Sequence, residues 1–190
     1  INVLNKTQGK QDQYAATFGG LNKFTFKKNG NVIVKKLKLN KRTIKILNNQ
    51  LFLVFTNQTR KAEIILKHQI SKFQSNRKYL DLINEQTDKL IRVTKEKEFK
   101  INIFSDIINK GWSYKVKLSK KILNRHLSKI SKKIKKSGAI AQKLLGAGGG
   151  GFFLAVVPLK KIKSFILNSS RKTLVKFQLE NEGTKVLFKR

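Results

Sequence analysis

Between Gly146 and Gly151 five of six residues carry no side chain, and this run limits what the chain around it can form. A helix C-cap needs one glycine and a tight turn about two. Each further glycine costs roughly 0.5–1 kcal/mol in chain entropy relative to alanine. Two readings fit such a run. It is either a flexible connector, or backbone that approaches something closely with its N–H groups turned inward as an anion nest. The close framing by Lys143-Leu144-Leu145 and Phe152-Phe153-Leu154 favours the second. It is not a Walker loop, because no Gly-Lys-Ser/Thr follows and the next element reads as a strand. The pattern predicts a loop that joins a helix to a buried strand.

That strand is the apolar run from Phe152 to Val157, closed by Pro158, and it has a counterpart in Leu51-Phe52-Leu53-Val54-Phe55. Continuous apolar runs of this length predict central strands buried on both faces. Phe24–Lys27 and Val32–Lys35 flank Lys28-Asn29-Gly30-Asn31, and Asn-Gly between alternating runs predicts a hairpin. Further strands are expected near 174–177 and 185–188. Spacings of three and four predict helices through Ala62, Ile65, Leu66, Gln69 and Ile70 and through Leu80, Ile83, Leu90 and Ile91. The same spacing links Phe104, Ile107, Ile108 and Trp112, then Leu123, Leu127, Ile130 and Ile134. A short helix around Tyr14-Ala15-Ala16 stops at Gly19-Gly20, and another covers 162–167. The sum is an α+β fold, a mostly antiparallel sheet packed with helices on one side.

The chain has 190 residues, 39% of them hydrophobic, with one proline, enough for a packed core. Its formal charge of +33 invites a nucleic-acid reading. Yet 36 of the 43 basic residues are Lys and 7 are Arg, the mark of A/T-rich codons. The dense sites Lys120-Lys121, Lys132-Lys133 and Lys135-Lys136 fall on polar helix faces without interleaved Phe or Tyr. No specific nucleic-acid partner is expected. Cysteine is absent, which excludes disulfides and thiolate metal sites. No apolar run approaches the roughly 18–20 residues that span a bilayer, so a cytoplasmic protein is expected. Methionine is also absent, and residue 1 is Ile, which predicts a fragment, a processed product or an incomplete reading frame.

Asp12 is one of four aspartates. Lys10 precedes it by two residues, at a passage from loop to helix. A carboxylate there either accepts a hydroxyl proton or caps the helix that follows. His68 and His126 lie on separate helices without acids at metal spacing, and are read as ordinary surface or half-buried residues.

The stretch Gly9-Lys10-Gln11-Asp12-Gln13-Tyr14-Ala15-Ala16, followed by Phe18-Gly19-Gly20-Leu21-Asn22, resembles a motif of the GHMP small-molecule kinases. Within that family it is most similar to the D-glycero-D-manno-heptose 7-phosphate kinases. Lys143 to Phe152 resembles the family's third, glycine-rich motif. Leu53 to Arg60 resembles its strand-and-turn segment, with Asn57 where glycine is usual, and Phe177 to Thr184 resembles its closing Glu-Gly-Ser/Thr strand.

The resemblance implies ATP-dependent phosphoryl transfer to a sugar hydroxyl, with a heptose 7-phosphate-like sugar phosphate and ATP as partners. Asp12 would be the catalytic base and Lys10 a charge-balancing neighbour. Gln11, Gly19, Gly20 and Asn22 would contact the sugar. Gly146, Ala147, Gly148, Gly149, Gly150 and Gly151 would lie beside the phosphates. Residues 1–50 would end an N-terminal domain and 51–190 would form the C-terminal domain. The family's Pro-x-x-x-Gly-Leu-Gly-Ser-Ser phosphate loop and the main Mg2+ ligands would precede residue 1, with no metal ligand in this chain. The 190 residues are therefore expected to be the C-terminal part of a kinase, inactive alone. The competing readings are a basic nucleic-acid-binding protein and a non-catalytic kinase-like binding module.

Overall fold

In a computed structural model of the chain, residues 9–59, 62–170 and 172–188 are described. Residues 1–6, which read in the sequence as the end of a helix, and Arg60 of the strand-and-turn segment lie outside them. The described elements run α1 (Gln11–Phe18), β1 (Asn22–Phe26), β2 (Val32–Lys36), α2 (Lys41–Gln50) and β3 (Leu51–Phe55). They continue with α3 (Ala62–Ser71), α4 (Phe73–Lys95), α5 (Ile101–Lys117) and α6 (Arg125–Lys136). The last are β4 (Ala141–Leu144), β5 (Phe152–Val156), α7 (Ile162–Asn168) and β6 (Leu174–Lys176). The fold is α+β with antiparallel sheets.

The two apolar runs find each other. β3 pairs antiparallel with β5, from Leu51 opposite Val156 to Phe55 opposite Phe152. β6 takes the other edge of β3 and β4 the other edge of β5, giving the order β4-β5-β3-β6. Alternate residues of these strands feed two separate cores. Phe52, Val54, Phe153 and Ala155 join Trp112, Ile122, Leu127, Ile134 and Phe165. Leu51 and Val156 join Leu47, Val93, Phe104, Ile107 and Ile108. Helices therefore cover both faces of the sheet, not one as the sequence suggested. This is what two-sided apolar strands require, since an uncovered face of Leu and Val would stay in water.

The hairpin β1–β2 forms as expected, from Asn22 opposite Lys36 to Phe26 opposite Val32. Its turn places Gly30 at φ +85°, a conformation that costs glycine little. α1 has no buried residue. It is held by aromatic contacts instead: the Tyr14 ring lies 5.9 Å from both Phe24 and Phe26, edge to face.

Three lysine and asparagine side chains close helix ends. Asn40 and Asn124 accept the N–H groups of Thr43 and Leu127 at the starts of α2 and α6. Lys176 reaches back from β6 to the carbonyls of Asn48, Asn49 and Leu51 at the end of α2. Its ammonium also lies 4.3 Å from the centre of the Phe52 ring. Such contacts satisfy carbonyls that a helix end leaves without partners.

Three expectations fail in detail. The glycine run does not follow a helix, because β4 intervenes and the loop joins two strands. Ala141-Gln142-Lys143-Leu144 is too short to show a period, and its strand state comes from pairing with β5. Lys185–Phe188 is not a strand. Alternating residues make no strand without an edge to pair with, and Val186, Leu187 and Phe188 stand 75, 87 and 79% exposed. Finally, α6 starts at Arg125, so Leu123 packs on the core from the segment before it.

Candidate active site

Asp12 lies in the first turn of α1. The position before that helix's first residue is Lys10, so Asp12 is not the N-cap and the capping reading fails. Lys10 makes no side-chain cap, since an ammonium cannot accept an N–H. Both side chains are exposed. The Asp12 carboxylate has no hydrogen-bond or ion-pair partner among the described residues. It sits where the helix dipole favours negative charge.

The other end of α1 is gripped by the chain's tail. Gly20 N–H donates to Glu180 O at 2.8 Å, and Thr184 N–H reaches Ala16 O and Thr17 O at 3.2 Å. The approach leaves no room for side chains. A methyl group on Gly183 would lie 1.9 Å from Thr17 O, and one on Gly19 would lie 2.2 Å from the carbonyl carbon of Glu182. Asn22 donates from Nδ2 to Gly19 O at 2.7 Å. The described partners of Gly19, Gly20 and Asn22 are thus protein groups. Backbone N–H groups of Glu182 and Asn181 hold the Glu180 carboxyl below its ordinary pKa.

Gln11 and Asn22 line one cleft of about 790 Å³ with Phe24, Leu37, Leu90 and Leu154. Its walls come from the hairpin, from α4 and α5, and from the sheet. Lys23 and Asp88 form an ion pair across it. Asp12 and the glycine loop are not among its lining residues.

The glycine loop is tied down along most of its length. Leu145 N–H donates to Phe152 O at 2.9 Å and closes it. Gly149 N–H donates to Ile122 O and Gly151 N–H to Gln58 O, both at 2.9 Å. Gln58 returns a side-chain bond, Nε2 to Gly149 O at 3.0 Å, and its Oε1 accepts Asn124 Nδ2 at 3.3 Å. Gln69 Nε2 donates to Ala147 O at 3.2 Å. Thr56 Oγ1 donates to Gly151 O at 2.8 Å. Lys115 donates to Leu144 O at 3.2 Å and to Gly146 O.

The close approach predicted for the glycines is made partly to the chain itself. A methyl group on Gly150 would lie 2.4 Å from Gln58 O, and one on Gly148 would lie 2.8 Å from Ile122 Cγ2. The loop is therefore no flexible connector. The inward anion nest also needs revising, because two of its N–H groups are already taken. Those of Gly146, Ala147 and Gly148 have no protein acceptor among the described residues; Gly146 is exposed and Ala147 half-buried, while Gly148 is buried.

Sequence reasoning missed Gln58, Asn124 and Lys115. The polar run Thr56-Asn57-Gln58 straight after an apolar strand was a signal, and Asn57 adopts φ +51° there. Nothing distinguished Lys115 among 36 lysines. The histidines are half-buried (His68) and exposed (His126), as the sequence reading has them. His68 Nδ1 lies 2.9 Å from Ser119 Oγ, and His126 Nε2 lies 3.0 Å from Thr56 O. Among the described residues no group of three His, Cys, Asp or Glu gathers at metal-binding distance. No described helix is long and apolar enough to cross a membrane.

No protein-family model matches the chain. Over 181 residues, 93% of its length, it is 35% identical to the D-glycero-alpha-D-manno-heptose 7-phosphate kinase of Campylobacter jejuni subsp. jejuni serotype O:2. The chain is similar to the GHMP kinases. It spans about half the length of that relative, 53%. A solved structure of a Campylobacter jejuni protein assigned as a sugar kinase superposes with a TM-score of 0.62 at 29% identity. That match covers 96% of the chain and 52% of the solved one. L. major mevalonate kinase in complex with R-mevalonate shares the fold, with a TM-score of 0.71 at 16% identity. It covers 91% of the chain and 53% of that structure.

Proposed function

We propose that this chain is part of an ATP-dependent sugar kinase that phosphorylates a hydroxyl of a heptose 7-phosphate-like sugar. The 35% identity to a heptose 7-phosphate kinase over nearly the whole chain carries the reading. The exposed Asp12 and the tethered glycine loop supply chemistry consistent with it.

Phosphoryl transfer needs mainly positioning and charge neutralisation. Asp12 would accept the proton of the attacking sugar hydroxyl. An exposed carboxylate without a protein partner is free to do so, and Lys10 two residues away would balance its charge. Gln11 and Asn22 would orient the sugar from the cleft they share. The glycine loop fits a phosphate group, since the N–H groups of Gly146, Ala147 and Gly148 are open donors and the rest of the loop is immobilised by Gln58 and Lys115. The chemistry that Mg2+ would supply when bound is charge neutralisation at the nucleotide phosphates. The described donor set holds no carboxylate cluster for it, so its ligands are assigned to residues outside this set.

In this reading residues 1–50 close one domain and 51–190 form a second. The 190 residues alone are inactive, and the reaction takes place in the cytoplasm, where ATP is available. The test is sugar-dependent ADP release by the protein that carries this chain. Asp12→Asn should lower it by about 10²–10⁴-fold, the usual contribution of a positioned base. An unchanged rate in that variant contradicts the assignment.

A further inference from the structure

Lys143 is the one residue of β4 whose charge nothing in the fold yet explains. The alternation of β4 puts it on the same face as Ala141, which belongs to the core shared by α2, α4 and α5. Its cross-strand partner is Leu154, which is part of that core and also lines the 790 Å³ cleft. The side chain is half-buried on this apolar face. It has no hydrogen-bond or ion-pair partner among the described residues. Three residues later begin the open N–H groups of Gly146, Ala147 and Gly148.

An ammonium held against apolar surface without a counter-charge is costly to a fold, unless something anionic visits it. Lys115 and Lys176 show the contrast. Both bury part of their length, and both spend their protons on backbone carbonyls. Lys143, on the edge strand β4 and paired only with β5, has no such outlet among the described residues.

We propose that Lys143 is a phosphate-binding residue, acting as counter-charge to a phosphate group bound between β4 and the glycine loop. Its ammonium would add a mobile point charge to the fixed N–H donors of Gly146 to Gly148, the combination that phosphate recognition commonly uses. The kinase reading enters only in supplying the source of that group, a nucleotide or a sugar phosphate. Burial lowers the lysine's pKa from its ordinary value, in keeping with a cation that has no partner until ligand arrives.

The test is residue-resolved acylation of the chain by an amine-reactive ester, read by mass spectrometry, with Lys132 on the exposed face of α6 as the internal control. Separate arms contain inorganic phosphate, ATP and a sugar 7-phosphate. Labelling of Lys143 should slow about tenfold at saturation in at least one arm while Lys132 is unaffected. The arm that protects best identifies the source. Equal protection of both lysines, or none in any arm, overturns the proposal.

Lys143→Met should weaken phosphate binding about tenfold, and Lys143→Arg should largely retain it. Full affinity in the methionine variant overturns the proposal as well. Sugar-dependent ADP release with unchanged KM in Lys143→Met would remove the phosphate site and leave the kinase reading intact. Protection of Lys143 in a protein without turnover would do the reverse.

Discussion

Gln58 and Gly149 are joined by a side-chain bond, Nε2 to O at 3.0 Å, while Gln58 O accepts the N–H of Gly151 at 2.9 Å. One residue thus spans the glycine loop, and through Asn124 it connects the loop to the start of α6. Gln58→Ala removes two side-chain hydrogen bonds and keeps the backbone one. At about 0.5–1.5 kcal/mol each, the expected loss is roughly 1–3 kcal/mol. Urea unfolding measures it, and amide exchange at Gly149 should accelerate with it.

Gly183→Ala places a methyl group 1.9 Å from Thr17 O. Backbone must move, so the tail should lift from α1 and the Thr184 N–H should lose protection from exchange. Gly30→Ala meets nothing within 4 Å and pays only for its positive φ. It should be the milder change, by thermal unfolding of the two variants.

The central sheet was legible because β3 and β5 are continuous apolar runs, and the glycine loop because its composition is costly. β4 was not, since four residues show no period and only the partner strand makes them extended. The tail 185–188 misled for the converse reason, having alternation without an edge to pair with. In the site, Asp12 and the glycines were legible from residue type. Gln58, Asn124 and Lys115 were not, because their roles depend on contacts between segments far apart in sequence.

Leu127 is fully buried between the sheet and α6. Leu127→Ala should cost about 2–5 kcal/mol, the range for a buried leucine whose cavity cannot collapse. Calorimetry of the purified variant checks this. A loss below about 1 kcal/mol would mean that this core is looser than described.

Lys143→Met should change stability in a pH-dependent way. Burial lowers the lysine's pKa in the folded chain, so the folded state binds the proton less well than the unfolded one. The cost is fully present below the folded value and is relieved as pH rises toward the ordinary 10.5. The methionine variant should therefore gain most over wild type near neutral pH, and the gain should shrink in alkaline buffer. Paired urea titrations at pH 7 and near pH 10 give the comparison.

The most direct test of the central reading is sugar-dependent ADP release by the protein that carries this chain, with a heptose 7-phosphate as acceptor. Wild type should release ADP only when the sugar is present, and Asp12→Asn should abolish nearly all of it. Sugar-independent release, or equal rates in the two proteins, would contradict the account.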